Sequence, residues 1–133
     1  MYINLHDYTA IAIAIFMLMM GLGMAIIWAI DMAKGKFSHM GHFFRWTNKG
    51  GDLMWPHIIA EYLTAAGLIA AGMGTLAGLD WAPPLSLVML GALCYTSLNS
   101  LSWVFPNKER LPYGIPMIVS LVGGILAIAL LLQ

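Results

Sequence analysis

The sequence predicts an all-α integral membrane protein, a four-transmembrane-helix bundle with short loops and one interfacial amphipathic loop segment. Three observations carry this. Of the 133 residues 61% are hydrophobic and 9% charged, with a mean hydropathy of +0.84; a soluble domain carries about 25% charged residues, so this chain cannot cover itself against water. The apolar residues fall into four runs, each near the roughly 20 residues that a spanning helix needs. All six basic residues lie in two of the segments between them.

The first run covers about residues 8–30 without a charge, and the second about 53–79, interrupted by His57 and Glu61. The third covers 83–105 and the fourth 111–132. Asp52 can cap the second helix with Pro56 in its first turn, where a missing N–H does little harm. Pro83-Pro84 opens the third run, Pro106 closes it, and Pro112 and Pro116 stand in the opening turns of the fourth. The runs lack the alternation of barrel strands. Spans and loops use nearly all of residues 1–133, a single transmembrane domain. The N-terminus has no basic stretch before its apolar run, so that run is expected to be a retained span.

Lys34, Lys36, Arg45 and Lys49 lie between the first two runs, and Lys108 and Arg110 between the last two. The positive-inside rule makes both loops cytoplasmic, with both termini on the non-cytoplasmic side. In loop 31–52, Phe37, Met40 and Phe44 recur at helical spacing beside Arg45 and Trp46. This pattern is expected to lie on the membrane surface.

Small residues mark packing ridges: Ala66, Ala70, Gly74 and Gly78 at four-residue spacing, Gly21 and Ala25 in the first span, and Gly123 and Gly124 in the fourth. Such ridges let helix backbones approach within a bundle or between copies.

Glu61 stands about two turns, roughly 10–12 Å, into its span, where an ionised carboxylate costs a few kcal/mol unless paired or hydrated. His57 and Thr64 share its helix face. The third span is polar in its cytoplasmic half, with Tyr95, Thr96, Ser97, Asn99, Ser100 and Ser102. Asn99 matches Glu61 in depth, and Tyr113 can close the layer from the fourth span. Glu61, His57, Thr64, Tyr95, Asn99, Ser102 and Tyr113 thus form a candidate layer for a proton, cation or polar ligand, or a hydrogen-bonded network that fixes helix register.

Metal is a weaker expectation: His57 and Glu61 at i, i+4, with His39, His42 and Asp52 before them, could converge on one cation, without a spacing of established specificity. A bis-histidine haem lacks a second histidine at matching depth. No cofactor is required by the sequence; bound lipid is expected.

Cys94 is the one cysteine, which excludes an intrachain disulfide and a CxxC site. No catalytic or phosphate-binding motif is present, no lysine lies within a span, and no serine has an evident His/acid pair. Nothing in the charge balance points to nucleic acid. The chain resembles the small multidrug exporters in size and in carrying one intramembrane glutamate. Theirs lies in the first span, which has no acid here, so no functional residue carries over.

Two functions of different class follow: a structural or accessory subunit of a homo- or hetero-oligomeric membrane complex, and a small transporter or channel component working through the Glu61 layer. A metal- or haem-binding subunit is a third.

Overall fold

The computed structural model describes residues 5–33, 54–105 and 108–133. They form four α-helices: α1 Leu5–Ala33, α2 Met54–Leu76, α3 Ala82–Val104 and α4 Gly114–Leu131. All four are long and apolar enough to cross a membrane, and no strand occurs among the described residues. The large side chains confirm what surrounds them: Met19, Leu63, Val88 and Ile115 are each more than 60% exposed. A surface so apolar belongs in lipid.

The helices follow one another up and down, with α1 packed on α2, α2 on α3 and α3 on α4. α1 meets α4 over a smaller contact, leaving an open apolar cleft of about 360 Å³ between Tyr8, Phe16, Gly123, Leu126 and Leu130. The more polar spans, α2 and α3, are also the more buried ones. A polar side chain escapes the hydrocarbon only by facing another helix, so the least apolar helices take the inside positions.

At mid-bundle Ile13, Met17, Leu68, Ala71, Leu90, Leu93 and Ala127 form the core. Five of them, Met17, Leu68, Ala71, Leu90 and Leu93, have no exposed surface. Close approach depends on glycines. A Cβ on Gly21 would stand 2.8 Å from the Ala65 carbonyl oxygen, and one on Gly72 2.9 Å from that of Ala14. On α4, a Cβ on Gly123 would meet the Phe16 ring at 2.6 Å, and one on Gly124 the Cys94 Sγ at 2.7 Å.

Expectation and structure part at two helix ends. α2 stops at Leu76, three residues short of the expected 79. Gly78 has φ +67, its N–H donates to the Thr75 carbonyl at 3.1 Å, and that of Leu79 donates to Gly74 at 3.0 Å. This paired closure needs the left-handed conformation that glycine adopts freely. Gly78 is therefore a helix stop and not the fourth member of a ridge. α4 begins at Gly114, because Lys108–Tyr113 is a 3-10 helix containing Pro112. A proline disfavours α geometry in the residue before it and cannot donate, which suits the tighter turn.

The ridge also divides by side. Gly74 faces Trp81 and Ala82, and Ala25 is half-buried, whereas Ala66 and Ala70 are exposed on α2. The intramolecular α1/α2 contact is made by Gly21 and Gly72, on the other side of α2. The loop residues Phe37, His39, Met40, His42, Phe44, Arg45, Trp46 and Asp52 lie outside the described residues.

Candidate functional site: a polar junction of three helices

The end of the bundle nearest the 34–53 connection holds a cluster of polar residues around Glu61. Trp28 lies about 7.5 Å before the end of α1, Glu61 about 10 Å past the start of α2, and Ser100 about 6 Å before the end of α3, at 1.5 Å per residue. Antiparallel packing brings the three level.

Glu61 is 4% exposed. Its Oε2 accepts a hydrogen bond from the Trp28 indole N–H. Its Oε1 accepts from Ser100 Oγ at 2.6 Å and lies 2.9 Å from His57 Nε2. The imidazole is held in turn, with Ser100 Oγ 3.0 Å from Nε2 and Asn99 Nδ2 3.1 Å from Nδ1. Trp28 meets the same ring edge-on, with centroids 5.9 Å apart and planes at 78°. Ile58 and Trp28 form a small apolar cluster beside it, with Met24 and Tyr62 against them. Both carboxylate oxygens thus receive donors, from three different helices. This is what lets a carboxylate reside at this depth.

Of the seven residues expected in the layer, His57, Glu61 and Asn99 meet. Thr64 is buried one turn further along, where its hydroxyl donates to the Ala60 carbonyl at 2.8 Å. Tyr113 is half-buried at the head of α4. Two expectations are corrected. Tyr95 is 70% exposed, and Ser102 is exposed with its hydroxyl on the Asn99 backbone carbonyl. Both project from the outer face of α3, because a polar stretch of a helix has two sides: Thr96, Ser97 and Ser100 are buried and Asn99 is half-buried, whereas Tyr95 and Ser102 are exposed.

Two residues join the site that sequence reasoning did not assign to it. Trp28 reads as one more apolar residue of the first span; its signal is that it is the indole donor at the depth of Glu61. Ser100 reads as one residue of the polar half of its span, with no spacing in the sequence that pairs it with His57 and Glu61. The expectation that no serine has such partners is corrected, since Ser100 touches both.

The chemistry this permits is nevertheless narrow. In a Ser/His/acid relay the acid holds the imidazole nitrogen opposite the serine. Here serine and acid share Nε2, and Ser100 gives its hydrogen to Glu61. The hydroxyl is thus tied up as a donor instead of being activated. Among the described residues no group of three His, Cys, Asp or Glu side chains could hold a metal ion.

Fold and site together define a class: a multi-pass membrane helical bundle pinned by a buried carboxylate. The chain belongs to the family described as Domain of unknown function (DUF8058), whose model matches residues 9–133. No curated protein and no solved structure matches it.

Proposed function

We propose that this protein is a structural or accessory subunit of an oligomeric membrane complex, with both termini on the non-cytoplasmic side. The observation that carries the reading is the tethering of Glu61: both its oxygens accept hydrogen bonds, from donors on three helices, so the carboxylate fastens the bundle. The layer of Met17, Leu68, Ala71, Leu90 and Leu93 beyond the junction is fully buried and apolar. This favours the subunit reading over a transport path through one chain. Zero basic residues outside the two loop segments support the orientation.

The association surface of this reading is the outer side of α2. Ala66 and Ala70 are exposed there, between Leu63 and Met73, which are 68% and 61% exposed. A shallow alanine ridge between larger residues suits a second transmembrane helix. The Ala66→Leu/Ala70→Leu double variant should unfold within about 0.5 kcal/mol of wild type, since neither side chain packs inside the protomer. In native membranes a photo-crosslinker at position 66 should join wild-type chains, or a chain and its partner subunit, in a species of discrete mass. The alanine-to-leucine exchange at position 70 should abolish it. Crosslinks to lipid alone would refute the proposal.

A further inference from the structure

The outer face of α3 carries a polar group that the protomer leaves without a partner. Tyr95 stands near the middle of Ala82–Val104 and is 70% exposed. Among the described residues its hydroxyl makes no hydrogen bond. The small hydroxyls of the spans satisfy themselves: Thr64, Ser86, Thr96 and Ser102 each donate to a backbone carbonyl about one turn back. A phenol cannot do this, because its rigid ring holds the hydroxyl away from its own backbone. Nor does it reach water easily. The nearer end of α3 is Val104, about 13 Å away along the axis. Helical side chains lean toward the N-terminus, so the hydroxyl leans away from that end and toward the middle of the span.

Gly91, one turn before Tyr95, is exposed on the same face. A Cβ there would meet nothing within 4 Å. No packing inside the protomer requires this glycine, although a glycine within a helix lowers helix propensity. It leaves a hollow in a continuous seam. Val88, Gly91, Tyr95, Leu98, Ser102 and Phe105 are exposed, while the other described side chains of residues 88–105 are buried or half-buried. The six alternate by three and four, the a/d spacing that keeps a seam in line with a second helix over about 26 Å.

Lipid tails neither give nor accept a hydrogen bond. A second copy of the same seam supplies both missing parts. Its tyrosine hydroxyl is a donor and an acceptor, and its Gly91 hollow lies one turn toward the N-terminus, where the facing ring leans. Two copies inserted in the same sense bring their α3 helices together in parallel, with equivalent residues level. A surface complementary to itself is what a twofold contact requires.

We propose that α3 joins two copies of this chain, packed in parallel about a twofold axis, with the Tyr95 ring of each over Gly91 of the other and the two hydroxyls hydrogen-bonded. The inference goes beyond the subunit reading: it names a second copy as partner, on a different face from the α2 ridge that a crosslinker at position 66 probes, so either can fail without the other.

Disulfide trapping of the full chain in phosphatidylcholine bilayers tests it. With Cys94→Ala, Leu98→Cys should give a species of twice the chain mass under mild oxidation, and Met19→Cys, exposed on α1, should not. Energy transfer between N-terminally labelled chains diluted in lipid reads the affinity. Gly91→Leu, which fills the hollow, should weaken pairing at least about tenfold while the protomer unfolds as before, and Tyr95→Phe should weaken it about threefold or more. A cysteine at position 98 that crosslinks no better than one at position 19 would overturn the proposal. So would a Gly91→Leu or Tyr95→Phe chain that pairs as tightly as wild type.

Discussion

Glu61→Leu is expected to destabilise the bundle by about 2–4 kcal/mol, the largest loss from any single polar substitution. The leucine fits the volume but leaves the Trp28 N–H and the His57 N–H facing hydrocarbon. Hydrogen bonds to a charged group contribute about 1.5–3 kcal/mol each in soluble proteins. Interhelical bonds in membranes average about 0.6 kcal/mol, because the unfolded helices find other partners. Desolvation of the carboxylate offsets part of the total. Ser100 recovers some of its loss, since a helical serine can donate to a carbonyl one turn back. Glu61→Gln should cost less, about 1 kcal/mol: its oxygen keeps Ser100 and His57, while its NH₂ opposes the indole. Reversible unfolding in mixed micelles measures both. A Glu61→Leu protein more stable than wild type would mean that the acid is held at a cost, for a role that packing does not require.

The second large effect falls on the α1/α2 contact. Gly21→Leu should cost about 3 kcal/mol or more, at the upper end of overpacking. The first added atom would lie 2.8 Å from the Ala65 carbonyl oxygen and 2.9 Å from Ile69 Cγ1. A flexible side chain can swing aside from such a clash, but a helix backbone moves only with its helix. Two residues on, a Cβ at Gly23 meets nothing within 4 Å. Gly23→Leu should therefore lose nothing, and can gain up to about 1 kcal/mol from helix propensity. The same unfolding assay compares the two. Equal losses at the two positions would contradict the packing described for α1 on α2.

The four helices were legible because the bilayer imposes length and apolarity on each span independently of its neighbours. Their ends were less so. Residues 76–79 continue the uncharged run without a polar break, and only the left-handed backbone at Gly78 separates helix from turn. The site was half legible. His57 and Glu61 share a face by α-helical spacing alone, and Asn99 follows from counting depth. Which side of α3 looks inward depends on how α3 rotates against α2 and α4, and that is a packing outcome. Tyr95 and Ser102 therefore fell on the wrong side. Trp28 was missed because hydropathy scores an indole by its carbon surface, while the junction uses its single N–H. The ridge of Ala66 and Ala70 has the spacing of a packing face; among the glycines that pack inside the protomer, Gly21 and Gly72 are those whose missing side chains would stand within 3 Å of a carbonyl oxygen.

A carboxylate on α2 ties α1 to the rest of the bundle through an indole N–H. A double-mutant cycle of Trp28→Phe and Glu61→Leu, read by reversible unfolding in bilayers, tests it most directly. Loss of indole packing occurs on both arms and cancels, leaving the interaction between the two groups. A coupling of about 1–2 kcal/mol is predicted, as for a buried hydrogen bond to a charged group. Additivity within about 0.3–0.5 kcal/mol would contradict the account.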